Sequence, residues 1–413
     1  MNKDDKSSQA DRILATTDRG SREISREGSE GEDDLAQIQP AKLREISVAA
    51  TDWTTETILR QLDRKNININ PSFQRRDAWT LERKSTFIES LMMGLPIPQL
   101  VFAESKTKKG AYIVLDGKQR LLALRQFAAK EGDGYSPLKL RELTQRPELN
   151  GYTLAEMEAD PSFADDVSRF ENETIRTVVL KNWPDEITLF LIFLRLNTGS
   201  VALSPQELRQ ALHPGPFVSF VDEQSALLPG LRIILNSEKP DFRMRDAELL
   251  VRYYAFQYFF ENYRGNMKAF LDETCQKLNT KWSQEESKLK SDLRSLNEAY
   301  EVTISIFGEN AFCKWDGSAY ERRPNRAVVD IMTYYFSDAK ISKAAISKQS
   351  EIEEDFQILC GNTEFRRSLE STTKSLEATV QRFAEWGRAL HQRLNLPVTI
   401  PSLQNKTIIL VQL

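Results

Sequence analysis

The segment Tyr112-Ile113-Val114-Leu115-Asp116-Gly117-Lys118-Gln119-Arg120 constrains this chain more than any other stretch. Four apolar or aromatic residues read as a buried strand. An acid and a glycine stop it, and Leu121, Leu122, Leu124 and Phe127 then follow at helical spacing. A strand that runs into a helix through a single glycine needs a tight turn and a close backbone approach. The helix start leaves backbone N–H groups without intrahelical partners and places a positive dipole end there, which suits an anion. Lys118 and Arg120 fall in that first turn, where cations oppose the dipole. A phosphate would offset that cost, and Arg120 could hold it through two parallel hydrogen bonds. Asp116 could bind a metal ion, orient a ribose hydroxyl or position a water. The plainer alternative is a strand–helix turn with solvated charges.

Flanking segments read in the same register. Residues 81–93 carry Phe87, Ile88, Leu91 and Met92 on one helical face, with Gly94 as the stop. Residues 99–103 and 111–115 read as strands joined by a polar loop, 175–180 as a β-branched strand and 187–196 as an apolar helix. Residues 52–62 show helical spacing, and 67–70 alternate like a short strand ended by Pro71. Ser204-Pro205-Gln206-Glu207 has the layout of a capping box and opens another helix. Beyond Phe217 strand signals thin out. Residues 247–263, 282–307, 325–337 and 352–394 read as helices, and the apolar residues near 399–411 could form a short strand. The fold class is therefore α+β followed by a mostly helical domain. Residues 1–42 are polar and charged with few aromatics, and are expected to stay disordered. The expected boundaries are 43–215 for the first domain, 216–396 for the helical one and 397–413 for a tail.

Composition narrows the function. The 413 residues carry a formal net charge of −4, which argues against a protein basic throughout that coats DNA, though not against a local basic groove. Cys275, Cys313 and Cys360 are scattered and odd in number, so neither a zinc ribbon nor a disulfide framework is expected. Only two histidines are present, His213 and His391, too few for a histidine-rich metal site or an HNH nuclease. His213 lies at a helix end before Pro214. The first residues lack the apolar core of a signal peptide, and no run approaches the length of a membrane span, so a cytoplasmic, non-membrane protein is expected.

Two further clusters accompany the central turn. Gln74 and Arg75 are long polar residues between Phe73 and Trp79, and Arg75 could contact a second phosphate. Arg195 and Asn197 lie where the 187–196 helix gives way to Gly199. Either cluster alone could be an ordinary surface loop, and Glu207 could serve only as a capping partner.

These blocks together resemble the N-terminal domain of GmrSD-type restriction endonucleases. The matching stretches are Phe73-Gln74-Arg75 with Trp79, Phe87-Ile88-Glu89-Ser90-Leu91 with Gly94-Leu95-Pro96-Ile97-Pro98, and Asp116-Gly117-Lys118-Gln119-Arg120-Leu121. Phe193-Leu194-Arg195-Leu196-Asn197-Thr198-Gly199 and Leu203-Ser204-Pro205-Gln206-Glu207-Leu208-Arg209 complete the set. The resemblance implies a ParB/sulfiredoxin-like fold and a role in restriction of foreign DNA, with nucleoside triphosphate binding and hydrolysis linked to that restriction. The family's DGQQR box falls on residues 116–120, and Lys118 stands in place of its first glutamine. Asp116, Gln119 and Arg120 are then the expected catalytic residues, with Asp116 also the candidate ligand for Mg²⁺. Gly117, Lys118, Gln74, Arg75, Arg195 and Asn197 are the expected phosphate contacts. DNA and a separate effector or nuclease chain are the implied partners. A non-catalytic sensor of nucleotide or modified DNA, or an interaction protein with a vestigial pocket, are the alternatives.

Overall fold

The computed structural model describes residues 24, 45–67, 77–130, 132, 134–196, 204–237, 239–371 and 373–413. The expected disordered tail except Ile24, all of the 67–70 strand except Ile67, and the candidate residues Gln74, Arg75 and Asn197 lie outside the described residues. The chain divides into two compact units between Leu212 and His213.

The first unit is built on a four-stranded sheet, order β1-β4-β2-β3. Its strands are β1 (Ser47–Thr54), β2 (Leu100–Glu104), β3 (Tyr112–Asp116) and β4 (Thr174–Lys181). β1 runs antiparallel to β4, β4 parallel to β2, and β2 antiparallel to β3. Side chains alternate between the faces of a strand. Leu100, Phe102, Ile175 and Val179 therefore enter one apolar cluster, and Val101, Ala103, Leu115 and Leu180 enter another. The first cluster is completed by residues from α1 (Thr55–Asp63), α2 (Leu81–Met92), α3 (Lys118–Phe127), α4 (Leu154–Glu158) and α5 (Ala164–Asn172). The second is completed by Leu189, Phe190 and Phe193 of α6 (Glu186–Leu196) and Leu208 of α7 (Pro205–Leu212). Helices on both faces explain why β2 is apolar without alternation. The fold of this unit is α+β.

The helical spacing read across 52–62 is corrected by the structure. Residues 52–54 finish β1, and Thr54 caps α1 by accepting from Thr57 N–H at 3.1 Å. Trp53 pairs with Ile175 across the sheet, and its ring lies 5.4 Å from Tyr112 and 5.9 Å from Phe102. That long-range packing overrides the local period.

The second unit is mainly helical. Its helices are α8 (Pro216–Ser225), α9 (Pro229–Leu235), α10 (Arg245–Phe259), α11 (Met267–Thr280), α12 (Trp282–Phe307), α13 (Arg326–Phe336), α14 (Ala339–Ile346), α15 (Gln349–Gly361), α16 (Thr363–Glu370) and α17 (Leu376–Leu394). The continuous helix expected over 352–394 is three helices. Asn362 caps α16 by accepting from Glu364 and Phe365 N–H, and Ser375 caps α17, so each restart carries its own cap. One hairpin was hidden from the sequence, β5 (Cys313–Trp315) with β6 (Tyr320–Pro324), and the short strand expected near 399–411 is a second hairpin, β7 (Thr399–Gln404) with β8 (Thr407–Gln412). Residues 397–413 are thus ordered structure in this unit, with Ile400 and Ile408 buried. Among the described residues no helix is long and apolar enough to cross a membrane.

Inside this unit Arg252 donates to both carboxylate oxygens of Asp330, at 2.9 and 2.5 Å, and Arg382 lies 3.7 Å from the same carboxylate. All three side chains are buried. A buried ion pair contributes little over apolar packing, but losing one member strands the other. Asp330→Ala is expected to destabilise the protein by about 3–5 kcal/mol. Glu56→Ala, which breaks an exposed pair with Arg60, should cost under about 1 kcal/mol. Urea unfolding midpoints of the two variants measure the contrast.

Candidate functional site

The β3–α3 turn is shaped before any functional group is considered. Val101 pairs with Asp116 and Phe102 with Val114, so Leu115 is an extra residue in β3. Such a bulge re-aims the residues that follow it. Leu115 goes into the second apolar cluster, and Asp116 emerges at the end of the sheet, half-buried. Gly117 then takes φ +100° as the N-cap of α3. A Cβ there would sit 2.2 Å from Leu100 Cδ2 and 3.3 Å from Arg120 Nη2. No side chain caps this helix start, and no acid occupies its first turn. Its amides are left to the surroundings of the turn.

The side chains around the turn are arranged in ion pairs. Arg120 Nη2 donates to Asp116 Oδ2 at 2.9 Å and to the Gln99 carbonyl at 2.9 Å. Arg120 thereby ties the acid to the strand entering β2. Its Nε is buried without a hydrogen-bond partner. Lys118 pairs with Glu207 of α7, with both side chains buried. Glu207 is also the capping-box partner: its carboxylate accepts from Ser204 N–H at 2.7 Å, and Ser204 Oγ accepts from Glu207 N–H at 3.2 Å. The capping role read from sequence holds, with a second role beside it. The two cations expected to face a phosphate are each turned to a carboxylate of the protein. This resolves their conflict with the helix dipole locally.

Gln119 lies on the same helix start. Its Oε1 accepts from Ala78 N–H at 3.3 Å. The turn holding Ala78 is secured by Lys84 of α2, whose fully buried ammonium contacts the Asp77 carboxylate and donates to Gln126 Oε1 at 2.5 Å. Burial pulls the Lys84 amine down to about 8. Trp79 packs edge-on against Phe87, and the Arg83 guanidinium covers its ring at 4.8 Å.

The structure thus gathers Asp116, Gly117, Lys118, Gln119 and Arg120 with Gln99, Ala78 and Glu207. Arg195 is exposed in the last turn of α6. Sequence reading missed Lys84, Asp77 and the Lys118–Glu207 pair. Lys118 and Glu207 are 89 residues apart, and no local pattern marks them as partners.

A family model described as the GmrSD restriction endonuclease, N-terminal domain, matches residues 56–214. No curated protein and no solved structure matches the chain.

Two substitutions probe the scaffold. Gly117→Ala meets Leu100 at a backbone angle that L-residues avoid, and should destabilise the protein by about 2 kcal/mol or more. Glu207→Gln keeps the cap geometry but removes the carboxylate charge that Lys118 contacts, and should destabilise the protein measurably. Thermal unfolding of both variants beside the parent protein checks these expectations.

Proposed function

We propose, on the premise that residues 56–214 are a GmrSD N-terminal domain, that this chain binds and hydrolyses a nucleoside triphosphate as part of a system that restricts foreign DNA. The β3–α3 turn carries this reading. A glycine with no room for a side chain presents an uncapped helix start beside a half-buried carboxylate. The backbone amides of this helix start, Gln119 among them, would take a phosphate oxygen there. Asp116 directs one oxygen to Arg120 and keeps the other for a cation. Mg²⁺ suits a single carboxylate completed by phosphate oxygens and water, and would neutralise charge developing on the transferred phosphate. In this arrangement Arg120 orients Asp116, and its buried, unpartnered Nε marks a donor still able to take an anion. The ParB/sulfiredoxin-like architecture belongs to the same reading, as do DNA and a separate nuclease or effector chain as partners.

One observation favours a second reading, a sensor that binds nucleotide or modified DNA without turnover. Lys118 stands where the family's box has a glutamine, and it is committed to Glu207. An amide able to orient the attacking water is therefore missing.

Turnover of GTP, ATP and CTP with Mg²⁺ separates the two. The expected result is hydrolysis of at least one by the parent protein, with kcat reduced about 100-fold or more in Asp116→Ala and Arg120→Ala. Equal rates in all three proteins would discard the hydrolase. Tight binding without turnover in the parent would establish the sensor.

A further inference from the structure

Gln119 and Gln126 are seven residues apart on α3, so they share one helix face. Both amide oxygens point to the same feature, the Asp77–Trp79 turn: Gln119 through Ala78 N–H at 3.3 Å, and Gln126 through Lys84 Nζ at 2.5 Å. Asp77 completes the clamp. One carboxylate oxygen contacts Lys84, and the other accepts from Trp79 N–H at 3.1 Å. Lys84 is 1% exposed, so this is a buried junction joining α2, α3 and the turn.

The junction determines which end of the Gln119 amide is committed. A backbone N–H can only donate, so the atom facing Ala78 is the carbonyl oxygen, and the NH₂ group lies on the other side. An attacking water needs an acceptor from its orienting side chain. A phosphate oxygen needs a donor. We propose that Gln119 meets the nucleotide as a donor, offering Nε2 hydrogens to a phosphate oxygen. Lys84 is the positioning residue that holds this orientation through Asp77 and the turn. This rests on the nucleotide-binding reading above and adds to it the polarity of one contact and the residue that sets it. The second lone pair of Oε1 stays open, so a donor-only replacement is the deciding variant.

The test is the Kd of the full chain for Mg²⁺ complexes of GTP, ATP and CTP, by calorimetry. Gln119→Met should weaken the nucleotide that the parent protein binds by about tenfold or more, the usual effect of losing a hydrogen bond to a charged group. Gln119→Lys, a donor with no acceptor, should recover affinity to within about threefold of the parent, since it can still give a charge-assisted hydrogen bond. Asp77→Asn keeps the bond to Trp79 but lacks the charge for Lys84. It and Lys84→Met should each raise Kd at least about threefold while circular dichroism stays unchanged, because a misplaced donor forfeits part of its bond energy. A Gln119→Met Kd equal to the parent's, or a Gln119→Lys Kd no better than Gln119→Met, overturns the donor role. Folded Lys84→Met and Asp77→Asn proteins that bind like the parent overturn the positioning role. In those cases nucleotide binding itself still stands. A parent protein that binds none of the three nucleotides removes both readings together.

Discussion

The contact between Gly117 and Leu100 governs the rest of the first unit. The strand pair β2–β3 brings the Leu100 side chain to where any Cβ at 117 would be, 2.2 Å away. The chain can leave β3 only through a left-handed glycine, and α3 must start at once. Every residue of the proposed site at this turn takes its place from that geometry. Asp116 is the last residue before the turn, and Lys118, Gln119 and Arg120 are the first three after it. The bulge at Leu115 sets the direction in which Asp116 leaves the sheet. Both apolar clusters, one on each face, are built on the strands that meet there.

Charge is handled around this turn by pairing. A helix start carries partial positive charge, and two cations beside it add to the strain. Lys118 is drawn off to Glu207, and Arg120 to Asp116 and the Gln99 carbonyl. Lys84 repeats the pattern one layer away with Asp77. Buried pairs of this kind add little net stability, because desolvation consumes most of the Coulomb gain. They do penalise other arrangements, since each misplaced partner leaves a charge uncompensated. In the helical unit Arg252 and Arg382 around Asp330, and Arg326 with Glu248, apply the same constraint at the centre of a helix cluster. Both units thus combine apolar packing with a small set of charged contacts that select one register.

The proposed function follows from combining these levels. A family model matches residues 56–214, and the β3–α3 turn within that stretch is where the proposed anion binding is placed. In the proposed reading, Lys118 is the departure from the resembled box that matters most. In its position a glutamine would bring an amide to the turn; the lysine instead brings a charge that α7 must neutralise through Glu207. This substitution therefore ties the helix start to α7 more firmly than a neutral side chain would, and links the turn to the end of the first unit.

Local order was readable from residue types alone. The apolar run 112–115, the glycine stop and the spacing of Leu121, Leu124 and Phe127 specified strand, turn and helix. Ser204 and Glu207 announced their cap, and α12 kept its expected limits. These features are encoded within a few residues, where sterics and capping act. The direction in which Arg120 points, the partner of Lys118, the burial of Lys84 and the strand identity of residues 47–54 all required the tertiary structure. Each depends on which distant surface arrives beside it: β4 for Trp53, α7 for Lys118, the Asp77 turn for Lys84. Periodicity carries no information about such meetings, because the energy that decides them comes from burial and charge pairing between segments far apart in the chain.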